Sequence, residues 1–341
     1  MLCYYYSTSL QGHRYMYINA LSLQKPREVV IAPANFESIV LLSLKPEPVI
    51  FITVDDSLPH YMLCSFVRML LGRKTIGIFL QPLGVVKKHI AKELIKGILL
   101  SLFVKLKIIL ILSIYPRRFS LGFFKYYSDW IYDPAFWDLA ERESLPYRAT
   151  DQTNYPYEFE PVRLYVLFLG TISNRKRFDL FVECCEASHN FPDLRFLAVG
   201  ERYTSDKDDC DVVSGEVLKR FSDCGGVLLE KYLTEEEVIY FQENAHIHWA
   251  FYAENFDQSS GIAGRAYQLD KLVIVRKYSL INEMLDDLGC SKVALTEAEV
   301  LDFFKSKENF DHMSTRTFST TMPIQLRDRS LRVLHSACGI L

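Results

Sequence analysis

AENFDQSSGIAGRAYQLDKLVIV, residues 253–275, reads as a loop, a helix and a strand. Ser259, Ser260 and Gly261 stand where the helix should begin, and KLVIV (271–275) is a short apolar run rich in β-branched residues. A helix start carries unpaired N–H groups and the positive end of the helix dipole. Small residues with hydroxyl donors let an anion approach that end closely. A plain serine N-cap has the same composition. The segment alone leaves both readings open.

The same order recurs upstream. VRLYVLFLG (162–170) and LRFLAVG (194–200) are strands ending in glycine, with a helical pattern over 177–191 between them. Phe178, Phe181, Val182 and Cys185 share one face of that helix. GEVLKRFSDCGG (215–226) is a helix closed by glycine, and VLLEKYL (227–233) is a strand. Thr234 and Glu237 form a capping box for the helix before HIHWAFY (246–252). Downstream come SLINEMLDDLG, KVAL and a charged helix from Thr296. Strict β-α-β alternation predicts a parallel sheet covered on both faces.

The first half alternates too. LCYYYS, VVIAP, VIFITVDD, TIGIFLQ and KIILILS are strand candidates. NYPYEFEP (154–161), rich in proline and aromatics, marks the domain boundary. The expectation is an α/β protein of two doubly wound, Rossmann-like domains facing a cleft. They span 1–155 and 156–310, and a tail (311–341) packs back across them. In such sheets, ligands sit at the carboxyl ends of the strands.

Composition narrows the function classes. Net charge is −3, which gives no reason to expect a nucleic-acid partner. Eight cysteines form no CxxC pair and read as reduced thiols, hence a cytoplasmic setting. The most hydrophobic region, 87–118, is split by Lys105 and Lys107 and is too short to span a bilayer. It reads as a helix over about 85–104 and a buried strand from Ile108 to Ile114. Lys87, Lys88, Lys92 and Lys96 form a basic helix face that suits either solvent or an anionic membrane surface.

Three turns carry candidate chemistry. The first is the Ser259–Ser260–Gly261 helix start. The second is LGTISNRKRFDLF (169–181), where Gly170 ends a strand and Arg175, Lys176 and Arg177 sit in the turn. In a parallel sheet both turns lie on one edge, so cations facing a helix N-terminus would clamp a diphosphate. The third is LQGHRYMY (10–17), where Gly12 lets backbone approach a ligand and His13 follows. It is not GxGxxG, which disfavours a nicotinamide-dependent oxidoreductase. Asp55-Asp56, at the end of VIFITVDD, suits a sugar hydroxyl or a metal. His246 and His248 have no evident third metal ligand, and Asp206–Asp211 lies in a polar loop.

Residues 162 to about 290 resemble the C-terminal domain of GT-B glycosyltransferases of the large retaining family 4. The resemblance rests on the strand-to-Gly170 turn with Arg175 and Lys176, and on DQSSGIAGR followed by A-x-x-x-x-K-x-V-I-V. It implies that Arg175 and Lys176 grip the donor phosphates. Asp257 falls on the first Glu of the family's E-x7-E motif, near the donor sugar, and Arg265 falls on the second, ribose-holding Glu. Ser259, Ser260, Gly261 and Ile262 fall where backbone amides meet the diphosphate. GHR resembles the acceptor-side glycine loop, which involves Gly12 and His13, with Asp55 nearby. IYDPAFWDL (131–139) resembles the segment closing the first domain. The implied activity is hexose transfer from a nucleotide diphosphate sugar to a glycan or lipid-linked acceptor, with retention and without metal or cofactor. Asp257 is one methylene shorter than Glu, and Arg265 reverses a charge. That reversal motivates the rival reading, a non-catalytic glycosyltransferase-like binding or partner protein.

Overall fold

The structure is a computed structural model that describes residues 3–8, 13–21, 28–31, 36–80, 90–114, 127–140, 155–205, 210–256, 258–311 and 321–339. The chain divides into two compact units, Met1–Ala140 with Thr321–Leu341, and Glu141–Thr320. The final helix thus belongs with the first unit.

Unit 1 contains strands β1 (Tyr4–Ser7), β2 (Glu28–Ile31), β3 (Val49–Phe51), β4 (Thr75–Phe79), β5 (Leu110–Ser113) and β6 (Asp129–Trp130). They form a parallel sheet in the order β2-β1-β3-β4-β5-β6. Its helices are α1 (His13–Leu21), α2 (Phe36–Ser43), α3 (Leu58–Leu70) and α4 (Ile90–Lys105). Ile39 of α2, Tyr61 and Cys64 of α3 and Leu100 of α4 enter one core with Tyr6, Phe51 and Ile111 of the strands. These three helices therefore cover the same sheet face. The five strands expected from the sequence are present. The two-residue β6 has too little apolar pattern to be read in advance.

Unit 2 follows with β7 (Leu164–Leu169), α5 (Phe178–Ala187), β8 (Leu194–Val199), α6 (Gly215–Asp223), β9 (Val227–Leu229), α7 (Glu235–Asn244) and β10 (Ile247–Ala250). It continues with α8 (Gly261–Gln268), β11 (Leu272–Arg276), α9 (Leu280–Asp287), β12 (Lys292–Leu295), α10 (Glu297–Lys305) and the short α11 (Glu308–Asp311). The sheet order is β12-β11-β10-β7-β8-β9, all parallel. Side chains alternate across it. Val166 and Phe168 join Phe178, Phe181, Phe221 and Trp249 on one face, while Tyr165, Leu167 and Leu169 pack with Phe241 and Ala245 on the other. Burial on both faces explains why β7 is an unbroken apolar run. The capping box at Thr234 and Glu237 forms as read from the sequence.

The last helix, α12 (Thr321–Cys338), closes unit 1. Ser330 Oγ accepts a hydrogen bond from the Tyr132 amide at 3.0 Å, and the Arg329 guanidinium lies 3.5 Å from the Trp130 ring centroid.

Candidate functional site

The site is built by strand order. In unit 2, β7 and β10 are neighbours although two strands, β8 and β9, lie between them in the chain, and the chain leaves them toward opposite sides of the sheet. Such a reversal opens a crevice at the strand carboxyl ends. The two turns emerging there are 170–177, after β7, and 251–260, after β10.

The first turn depends on glycine. Gly170 has φ +88° and Gly200 has φ +145°, both outside the range natural to residues with a Cβ. A Cβ on Gly200 would lie 2.1 Å from the Gly170 carbonyl oxygen, so the two strand ends meet backbone to backbone. A 3-10 turn, Asn174–Lys176, then presents the cations. Asn174 anchors it: its amide donates to Asp211 O at 3.0 Å, and its Nδ2 donates to Cys210 O at 2.8 Å and Val212 O at 2.9 Å.

The three consecutive cations have separate fates. Arg177 takes the left-handed conformation (φ 55°), and its guanidinium pairs with Asp179 at 3.1 Å and with Glu297. It fastens the turn to α5 and α10. Lys176 folds over the end of β7 and donates from Nζ to Leu169 O at 3.2 Å. Burial, with the Arg175 charge adding to it, pushes its ammonium down to about 8. Arg175 lies against two rings, its guanidinium carbon 4.8 Å from the Phe256 centroid and 5.6 Å from that of Tyr203. Its buried Nε has no hydrogen-bond partner.

The second turn is pinned to the first. The Ala253 amide donates to Arg175 O at 3.0 Å, and Trp249 Nε1 donates to Lys176 O at 3.0 Å. Ser260 caps α8, its Oγ accepting from the Ala263 amide at 3.3 Å and lying 2.8 Å from the Tyr252 hydroxyl. Burial pushes that hydroxyl up to about 12, against the opposing pull of the Ser260 hydrogen bond and the Arg175 charge. The influence of Arg175 on Tyr252 ties the cation to the residue that holds the α8 cap. The Tyr252 carbonyl in turn accepts from Arg276 Nε at 3.0 Å.

Ser260 is buried, whereas Ser259, Gly261 and Ile262 are half-buried, and Ile262 also leans on the core face that holds Leu167 and Phe241. Arg265 is buried and forms an ion pair with Glu235, the first residue of α7. A carboxylate thus stands beside Arg265, supplied from another helix. Asp257 lies outside the described residues. In unit 1, Asp55 follows β3 and accepts from the Leu80 amide at 2.7 Å, which ties it to the end of β4. Gly12 lies outside the described residues, as do Lys87, Lys88 and Asp206; His13 opens α1, but its side chain and those of Lys92 and Lys96 are not described. His248 is buried in β10, where burial lowers its imidazole to about 3. Among the described residues, no group of three His, Cys, Asp or Glu could hold a metal. No described helix is long and apolar enough to cross a membrane.

Tyr203, Tyr252, Phe256 and Glu235 were not visible as site residues in the sequence. The aromatics do follow strand ends, the one signal that pointed to them. Nothing local marks Glu235 as the partner of a residue thirty positions away.

No protein-family model matches the chain, and no curated protein matches it. Solved structures do. The chain is similar to MnaA of S. aureus in a co-structure with UDP, at 12% identity and a TM-score of 0.55, over 98% of this chain and 97% of that one. It is equally similar to a Listeria monocytogenes protein whose structure is named for UDP-N-acetylglucosamine 2-epimerase, at 10% identity and a TM-score of 0.55, over 99% and 97%. A third match is described as trehalose-6-phosphate from E. coli bound with UDP-2-fluoro glucose, at 8% identity and a TM-score of 0.52, over 99% and 96%. These likenesses span both units, and with two parallel, doubly wound sheets they give the chain the GT-B fold.

Proposed function

We propose that the protein is a glycosyltransferase that moves a hexose from a nucleotide diphosphate sugar to a hydroxyl of a glycan or lipid-linked acceptor. The observation that carries this reading is that the turn bearing Arg175 and Lys176 is hydrogen-bonded to the segment leading into the Ser260-capped α8, at the sheet's reversal point. The sequence resemblance to retaining family 4 supports it. So does the fold shared with proteins whose structures hold UDP or UDP-2-fluoro glucose.

In this proposal Arg175 and Lys176 neutralise the departing diphosphate, and the amides at Ser259–Ile262 share its charge. Gly170, having no Cβ, leaves room for the Lys176 ammonium at the end of β7. Leaving-group stabilisation is the chemistry such a transfer needs most, because charge builds on the diphosphate as the C1–O bond breaks. A phosphate oxygen takes the acceptor proton, so retention needs no protein base, and the cations replace a metal. Asp257 approaches the donor sugar, while Gly12, His13 and Asp55 serve the acceptor side.

One observation favours a second reading, a sugar-nucleotide-binding protein without turnover. Arg265 stands where the resembling family has a ribose-holding carboxylate. The pairing with Glu235 counters it by putting a carboxylate in that neighbourhood.

A thermal-shift titration with UDP, GDP and their hexose conjugates, with and without divalent metal, tests the donor site. A ligand at 100 times its Kd adds about 2.7 kcal/mol of stability. A base-selective rise indifferent to metal supports the proposal; no rise with any nucleotide overturns it. NMR of the bound sugar nucleotide then separates transfer from hydrolysis, from inversion at C2 and from mere binding.

A further inference from the structure

The molecule carries an unusual edge on unit 1. Every strand pair in that sheet is parallel, so α2, α3 and α4 all run against the strands and end together where the strands begin. This is the edge opposite the strand carboxyl ends. The three helices pack on one sheet face, so their last turns form a continuous row.

Each of those last turns exposes leucine. Leu41 and Leu44 close α2, Leu70 and Leu71 close α3, and Leu102 and Leu106 close α4. Leu70 is 68% exposed and Leu41 63%, whereas Leu42 of α2 and Leu100 of α4 are buried in the core. Cations stand at or just after each helix end: Lys45; Arg73 and Lys74; Lys105 and Lys107. Glu47 is the one acid within these turns, 44–47, 71–74 and 105–108. Lys74, Lys105 and Lys107 are exposed, and Arg73 holds the end of α2 by donating to Leu44 O at 2.5 Å.

Lone surface leucines need no explanation, but a row of them across three helix ends does. A basic edge on a chain of net charge −3 is complementary to a negatively charged surface. An isologous dimer through this edge would set like charges against one another. Leucines at the level of the cations match an interface in which apolar side chains enter the acyl boundary while ammonium groups meet headgroups.

We propose that this edge docks the protein on an anionic lipid bilayer surface through Leu44, Leu70, Leu71 and Leu106, with Lys105 and Lys107 on the headgroups. The inference is independent of the donor-site reading, because none of these residues belongs to that site.

Vesicle flotation of the full chain tests it, with phosphatidylcholine alone and with added phosphatidylglycerol. The protein is expected to float only with the anionic vesicles and to be released by salt. Leu70→Glu with Leu71→Glu, and separately Lys105→Glu with Lys107→Glu, should each lower partitioning by on the order of tenfold or more. Circular dichroism checks that each variant folds, as expected for exposed positions. Failure of the native chain to bind anionic vesicles at low salt overturns the proposal. So does unchanged binding by both double variants. Self-association that Leu70→Glu abolishes, without vesicle binding, assigns the edge to a second copy of the chain instead.

Discussion

The Ala253 amide donates a hydrogen bond to the Arg175 carbonyl at 3.0 Å, joining the turn after β10 to the turn after β7. Together with the Trp249 Nε1 bond to the Lys176 carbonyl, this bond holds the two halves of the candidate site in register. It uses only backbone atoms, so it leaves the Arg175 side chain to the Phe256 and Tyr203 rings. Replacing the side chain should therefore remove a charge without dismantling the turn.

Arg175→Ala and Lys176→Ala are each expected to weaken nucleotide diphosphate binding by about 1.5–3 kcal/mol, the range for a hydrogen bond to a charged group. Isothermal titration with UDP and with uridine separates the effects. The loss should appear with UDP and vanish with uridine, which has no phosphate. Equal losses with both would move the cations away from the phosphates.

Lys176 makes binding depend on pH. Its ammonium is depressed to about 8, so it is charged at pH 7 and loses its charge as pH rises through 8. Affinity for a diphosphate should fall between pH 7 and 9, and Lys176→Met should flatten that slope. Stability moves in the other direction. The unfolded lysine holds its proton to a higher pH than the folded one, so the native state gains stability as pH rises above about 8. Binding and melting curves over the same pH series distinguish the two.

His248 predicts acid sensitivity. Burial holds its imidazole neutral down to about 3, whereas an unfolded histidine protonates near 6.5. Below pH 6.5 the unfolded chain takes up a proton that the native state refuses, and stability falls progressively. At pH 5 the loss is about 2 kcal/mol. His248→Leu should remove that portion of the pH dependence in urea unfolding.

The Arg265–Glu235 pair is expected to be strongly coupled. Glu235→Ala leaves a buried guanidinium without this partner and should cost about 2 kcal/mol. A double variant, Arg265→Met with Glu235→Met, should recover much of that loss, because breaking a buried pair is worse than replacing it. A double-mutant cycle in urea measures the coupling, and strict additivity would refute it.

Gly200→Ala tests the strand-end contact. The added methyl would meet the Gly170 carbonyl, a backbone atom that cannot move aside, at a φ no alanine favours. A loss on the order of 3 kcal/mol is expected, together with weakened UDP binding as the 170–177 turn shifts.

What the sequence by itself determined was the alternation of elements, because periodicity and capping are local. The apolar run of β7, the box at Thr234 and Glu237 and the serine before α8 were all readable from residues a few positions apart. From alternation followed parallel sheets, and with them the carboxyl edge where ligands gather, marked by Gly170 and Gly200 after β7 and β8. Only the tertiary structure decided which turns meet. Strand order is set by how whole apolar faces pack, so no local pattern shows β10 beside β7. The same holds for charge. Three consecutive cations looked equivalent in sequence, yet Arg177 is held by Asp179 and Glu297, Lys176 caps a strand end, and Arg175 lies between rings. Arg265 looked like a reversed charge until folding brought Glu235 beside it. An ionic side chain takes its role from what burial leaves within a few ångströms, and that neighbourhood is assembled from distant parts of the chain.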